Sequence, residues 1–534
     1  MKKNLLGISL ITMSCLYGML AAVIILIFIL TDLPIMYGII ISIGVLLLQF
    51  LISPFFTDLS MKWFYGVKWN YTMPDYLNNF INQVCTKYNM KYPRIGFIDD
   101  GAPNAFTYGR TKNDARIVLT RGLFELLSPE EVIAVVGHEL GHATHYDMFF
   151  MTIAQLVPLV LYGVYETFTE SSSNDSDNSN LAMIGLVAYI LYIISQYIVL
   201  WLSRTREYYA DSFSIEETRN PNALAEALVK VGYGLSTNAN NQATDKKGKK
   251  KHSAAKSNAL GIFDSKTSKA LVVSSYNGGR VSKENIKNAM KWETWNIWAI
   301  FYELHSTHPL ISKRLKAISQ RCPEFNQEPY ITFDLQKTES YVDDFIAELM
   351  IKYLPLFTLI ITILMMLILP DNSMLILGLG GIITMIFSFF KFSRFYKNKG
   401  YVETNVSNLL GEVKVSGVTS IPCIVSGTII GRGNPGCIFN EDFVVKDNTG
   451  IMFLDYNQPL TIINKIFAIF KSKEYFDKIV KVKGWYRRSP VPYIEIYTME
   501  IDGKIKKCHT YGFAKILRII LLIIFILIFL LSII

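Results

Sequence analysis

The stretch VVGHELGHATHYD, residues 135–147, governs how the rest of the chain is read. Two histidines stand four apart, with a glutamate beside the first. Positions i and i+4 share one face of an α-helix, so His138 and His142 can offer two imidazole nitrogens to one ion. Glu139 lies near the same face, close enough to activate a water held there, which is the H-E-x-x-H pattern of zinc proteases. The helix has its own start signal: Ser128 suits the N-cap, Pro129 the first helical position, and Glu131 completes a capping box. Val132, Val135, Val136 and Leu140 supply an apolar stripe at helical spacing. The alternative is an amphipathic helix with two incidental histidines. It has to explain why two of only seven histidines in 534 residues fall at this spacing.

Directly after Asp147 the chain turns apolar, MFFMTIAQLVPLVLYGVY (148–165). Half of all residues are hydrophobic (51%) and only 18% are charged, and the apolar ones are clustered, as in a membrane protein. Seven stretches approach or exceed the ~20 residues that cross a bilayer: 5–30, 34–55, 148–166, 181–203, 353–369, 372–391 and 513–534. The fifth and sixth, joined only by Pro370–Ser373, read as a tight transmembrane hairpin. The first follows MKKN but is too long for a signal peptide and has no small-residue cleavage site, so it reads as an uncleaved span. The loop 166–180 has no Lys or Arg, whereas 56–147, 204–352 and 392–512 are rich in both. Seven spans then put those three segments on the cytoplasmic side of a cell (plasma) membrane. The net charge of +9 reads as positive-inside bias, and no nucleic-acid partner is expected. Six scattered cysteines without a CxxC argue against disulfides.

A catalytic zinc takes three protein ligands and keeps one position open. The third ligand must come from an element that meets the 129–144 helix in space. The spans 148–166 and 181–203 are joined by a short outer loop and so lie antiparallel. Residues just after Ser203 therefore lie level with those just before Met148. There the sequence reads SRTREYYADS (203–212). Glu207 is placed to be the third ligand, and Asp211, one turn on, can hold a ligand histidine's far N–H. The alternative for Glu207 is an ordinary juxtamembrane carboxylate beside Arg204 and Arg206. His145 would close the open position if it bound, and reads as a neighbour of the site or as solvent-facing. Asp147 either hydrogen-bonds within the site or stands outside it.

Around this centre, RIGFID (94–99) and ARIVLT (115–120) read as strands and 204–352 as mostly helical. The polar stretch 236–258 reads as a disordered loop, and its KKGKKK (246–251) as a solvated charge run or a lipid-attracted one. From 401 to 505, VKVSG, CIVSGTIIG, DFVVKD, GIMFLDY, KIVKVKGWY and PYIEIYTMEI alternate with Gly, Pro and Asn. That pattern predicts a small barrel, OB-like, or a sandwich.

HELGH (138–142), the Glu207–Asp211 pair, THPLISKRL (307–315) and GAPNAF (101–106) together resemble the membrane zinc metalloproteases of the HtpX type, relatives of the CAAX prenyl proteases. The resemblance implies a gluzincin fold, one Zn2+ per chain, and cleavage of membrane or misfolded proteins at the cytoplasmic face. It also makes His308, near Arg314, the candidate oxyanion donor; otherwise His308 caps the helix that follows. Asn104, Ala105 and Phe106 form either a strand edge that pairs with substrate or a plain turn. The expected architecture is a multi-pass α-helical membrane protein. It comprises two N-terminal spans (1–55), a mostly α zincin-type protease domain with a small edge sheet (56–352), a hairpin (353–391), a β-rich domain (392–512) and a last span (513–534). Its partners are protein or peptide substrates and the lipid bilayer. Two rival readings stay open. One is a CAAX-type processing peptidase. The other is a membrane scaffold with a structural zinc, which predicts a closed four-ligand site and no need for Glu139.

Overall fold

The computed structural model describes residues 2–31, 35–174, 179–233, 283–333, 339–489 and 491–533, without most side chains between 28 and 53 or those of 170–180. The expected loop 236–258 lies outside the described residues. Helices α1 (Lys2–Thr31) and α2 (Ile35–Phe64) lead into a soluble layer. There β1 (Lys68–Trp69), β2 (Arg94–Ile98), β3 (Ala105–Tyr108) and β4 (Arg116–Thr120) form a sheet in the order β1-β2-β4-β3. β2 and β4 run parallel, and β3 is the antiparallel edge. Helix α3 (Asp75–Lys87) packs Leu77, Ile81 and Val84 against this sheet.

After the short α4 (Arg121–Leu126) comes α5 (Pro129–Thr144), which carries HELGH. Its capping box forms: Ser128 Oγ accepts from the Glu131 amide, and Glu131 Oε2 accepts from the Ser128 amide at 2.9 Å. Helices α6 (Asp147–Asn174) and α7 (Ser179–Thr218) then pack side by side. Helix α7 continues without a break from its apolar part through Glu207 and Asp211, where the sequence placed the end of the span near Ser203. Leu16 and Val23 of α1 mesh with Ala154, Val157 and Leu161 of α6 and with Ala188, Val199 and Leu202 of α7.

Helices α8 (Pro221–Leu228), α9 (Lys283–Trp295), α10 (Ile297–Leu304) and α11 (Ile311–Arg321) complete the soluble layer. A hairpin of α12 (Val342–Ile368) and α13 (Ser373–Phe395) turns at Pro370–Asn372. Among the described residues, six helices are long and apolar enough to cross a membrane, the sixth being Thr510–Leu531. The expected span 34–55 falls on α2, most of whose apolar side chains are not described. Helix α13 meets the last helix at Gly378, where a Cβ would come within 2.6 Å of the Phe529 Cα, so only glycine permits that approach.

Between these helices β5 (Val402–Glu403) and α14 (Val406–Leu410) lead into a barrel. Strands β6 (Ile421–Arg432), β7 (Phe443–Lys446), β8 (Ile451–Asp455), β9 (Ile479–Arg488) and β10 (Pro492–Ile501) close on themselves through β6-β7-β8-β10-β9-β6. Within this ring β8 and β10 pair parallel and the other neighbours antiparallel. Helix α15 (Thr461–Phe470) connects β8 to β9, and β11 (Lys504–Lys507) extends β10 just before the last helix, α16 (Thr510–Leu531).

Two sequence expectations fail here. VKVSG (413–417) is not a strand: the Val413 and Val415 carbonyls accept from Asn296 Nδ2 and Trp292 Nε1, which ties the segment to α9 and the α9–α10 junction instead of to a neighbouring strand. And the β-reading of 401–505 passed over α15. The barrel interior and the α9–α10 aromatics form one continuous core, with Trp292 and Trp298 clustered with Val425 and Tyr486.

Candidate metal centre

The site begins with how closely α7 approaches α5. A Cβ on Gly141 would sit 3.1 Å from the Ala210 Cα, tighter than most packing allows, so glycine between Leu140 and His142 lets the two helices meet. That contact brings Glu207 to the two histidines. Ligand atoms of His138, His142 and Glu207 all lie within 4.8 Å of one another. The His138 and His142 rings are nearly perpendicular (88°), with their Nε2 atoms 3.1 Å apart. Glu207 Oε2 is 3.6 Å from His138 Nε2, and Oε1 is 3.5 Å from His142 Nε2.

The protons decide what this cluster can hold. His138 Nδ1 faces Asp211 Oδ1 at 2.9 Å, and His142 Nδ1 faces Asp147 Oδ2 at 2.7 Å. Each Nδ1 therefore carries the donor proton, and each Nε2 presents a lone pair. Two lone pairs facing at 3.1 Å beside a carboxylate repel one another unless a cation stands between them. The residues fit one divalent metal of the kind that takes imidazole and carboxylate ligands.

The supports differ on the two sides. Asp211 takes a two-pronged contact from Arg314 on α11, Nε at 2.8 Å and Nη2 at 2.6 Å, and Arg314 Nη1 also reaches Glu207 Oε2 at 3.2 Å. Burial alone would lower the Arg314 pKa; the facing carboxylates of Asp211 and Glu207 outweigh it and raise it. Behind Arg314, Ser312 N donates to Glu293 Oε2, and Glu293 lies 3.7 Å from Arg488 of the barrel. On the other side, Asp147 is gripped by Arg206 Nη1, and Arg206 Nη2 donates to Ser9 Oγ on α1 at 2.7 Å.

His308 does not cap α11, whose N-cap is Leu310 without a side-chain cap bond. It sits in the preceding loop with Nδ1 2.9 Å from Glu207 Oε2. His145 ends α5 with its ring against Phe213, away from the cluster. Asn104, Ala105 and Phe106 line the same cavity of about 300 Å3 as His138, Glu139 and Glu207, and its wall also includes Met151 and Gln155 of the apolar α6. Ala105 and Phe106 belong to β3, the sheet edge. Sequence reasoning left Asp147 open, and missed Arg206 and Ser9 as its supports. Only the position of Asp147, five after His142, was a local signal.

The model for Peptidase family M48 matches residues 74–322, from the residue before α3 to the residue after α11. A Protease HtpX homolog of Methanothermobacter thermautotrophicus is 38% identical over 203 residues, 38% of this chain and 75% of that protein. The chain belongs to peptidase family M48. Another HtpX homolog of this family, from Archaeoglobus fulgidus, is 36% identical over 197 residues, 36% of this chain and 56% of its own length. The crystal structure of S. mikatae Ste24p aligns over 58% of this chain and 65% of that one, with 19% identity and a TM-score of 0.32. By family, then, this is a metallo-type protease, and its apolar helices make it a multi-pass membrane protein. The M48 match ends before α12, so the hairpin, the barrel and α16 lie outside it.

Proposed function

We propose that the chain is a zinc endopeptidase that cuts misfolded or membrane proteins at the cytoplasmic face of the plasma membrane. One observation carries this reading: the Nε2 atoms of His138 and His142 converge with Glu207, while each Nδ1 faces a carboxylate. His138, His142 and Glu207 hold the metal, and three ligands leave a position open for water. Zinc bound there supplies Lewis acidity, polarising the scissile carbonyl and bringing the pKa of water down toward ~7. Glu139, on the same cavity wall, takes the attacking water's proton and returns it to the leaving amine. His308, with Arg314 behind it, provides a hydrogen-bond donor beside the carbonyl oxygen as it becomes negative. The free edge of β3 pairs with an extended substrate backbone.

The cytoplasmic orientation is supported by the Lys/Arg bias of the large segments. The domain division at 56–352 and 392–512 is supported by the sheet-and-helix layer on one side and the closed strand ring on the other. An OB-like description of the barrel is supported by its five-strand ring, with a helix between the third and fourth strands and a parallel closure.

The test is Glu139→Gln, purified in detergent beside the wild type, with zinc content and casein cleavage both measured. Equal zinc with activity lowered at least about 100-fold is the expected result. Cleavage that survives the substitution overturns the assignment of Glu139. Zinc in both proteins with cleavage in neither, across several unfolded substrates, overturns the endopeptidase reading.

A further inference from the structure

Seven of the ten residues of helix α15 are apolar, and Thr461, Asn464 and Lys465 share one side of it. Phe467 and Ala468 pack into the barrel with Phe443, Tyr456 and Tyr475. Yet Leu460, Ile462, Ile463, Ile466 and Phe470 face outward, from 45% to 72% exposed. An exposed apolar cluster of this kind marks a contact surface.

The position of the helix says what covers it. Asn464, buried in α15, accepts from the Gln458 amide at 2.8 Å and donates Nδ2–H to Asn457 Oδ1 at 3.1 Å. Gln458 in turn accepts from the His509 amide at 3.0 Å and donates to the Lys507 carbonyl at 3.0 Å. Thr510, the first residue of α16, donates to the Asn457 carbonyl at 2.6 Å. The first turn of α15 is thus fastened to the point where α16 starts. Among the described residues that helix is the most apolar candidate span, and it has no buried residue. Charge agrees with this placement. Segments 457–473 and 503–511 contain no Asp or Glu and together carry six lysines. Lys465, Lys471, Lys504 and Lys506 are exposed, with no ion-pair partner among the described residues.

We propose that α15 is an interfacial membrane anchor. Its outward face lies in the headgroup–acyl boundary of the leaflet that α16 enters, and the flanking lysines sit on anionic lipid phosphates. The barrel, which shares its core with α9 and α10, is then also held against the bilayer.

The full chain, with Cys15 and Cys437 replaced by Ser, carries one added cysteine at a time: Ile466→Cys, Phe470→Cys, or Asn448→Cys as the reference. Asn448 lies in the β7–β8 turn, at the opposite end of β8 from Asn457. Each protein is labelled with an environment-sensitive thiol dye. It is then reconstituted into vesicles of phosphatidylcholine and phosphatidylglycerol, with and without brominated acyl chains. The dye at 466 and at 470 is expected to lose about two-fold or more of its emission in brominated lipid, with little change at 448. Quenching at 466 and 470 no greater than at 448 overturns the proposal. So does efficient cross-linking of Ile466→Cys chains to one another at high dilution, because a second copy then covers this face. Quenching that is unchanged in phosphatidylcholine alone overturns the part assigned to the lysines.

Discussion

The two histidines of the metal centre are held by the same device pointed in opposite directions. On each, a carboxylate fixes Nδ1, and an arginine fixes the carboxylate. Behind His138 the chain of contacts runs into the soluble layer. Arg314 serves Asp211 and Glu207 at once, and its helix leads on to Glu293 and the barrel's Arg488. Behind His142 it runs toward the membrane helices: Asp147 opens α6, Arg206 lies on α7, and Ser9 lies on α1. One support is branched and touches two ligands, while the other is linear and touches one. Damage to the first should therefore spread, and damage to the second should fade with distance.

The sharpest break is Arg314→Met. It strips the counter-charge from two buried carboxylates, a loss of about 3–5 kcal/mol when one member of a buried ionic cluster is removed. Thermal unfolding in detergent should shift down markedly, and zinc retention should fall with it. Unchanged stability would show that His308 alone neutralises Glu207.

Next come Asp211→Asn and Asp147→Asn, which keep shape but weaken the hold on each imidazole. Each should lower zinc affinity by about 10–100-fold, read by competition with a chelator. Asp211→Asn should be the worse of the two, because it also leaves one side of Arg314 unpaired. Equal losses would mean that the branching has no energetic consequence.

The smallest effect belongs to Ser9→Ala. It removes one hydrogen bond to a buried guanidinium, about 1.5–3 kcal/mol at most. Its effect on zinc affinity should be well under that of Asp147→Asn. A loss as large as that of Asp147→Asn would make α1 an integral part of the centre and reverse the expected decay with distance.

The same contrast separates what is legible in a sequence from what is not. The α5 cap, the His138–Glu139–His142 spacing and the Glu207–Asp211 pair act within one or two helical turns, so their residues announce them. The strands β2 and β4 were equally legible from their apolar runs. The VKVSG segment misled because Val415 is buried as a strand's valine would be, while the Val413 and Val415 carbonyls bond to the side chains of Asn296 and Trp292. Helix α15 was missed because a ten-residue, mostly apolar run between two strands carries no capping signal.

Local spacing and hydropathy were enough to pick out the residues that meet at the centre and the membrane character of the chain. Only the tertiary structure decided which arginine stands behind which aspartate. It also decided that five strands close into a ring, and that α15 meets the start of α16. Arg206 lies 59 residues from Asp147 and 197 from Ser9. Contacts across such separations are chosen by how helices and sheets pack against one another, and no short window of sequence encodes that choice.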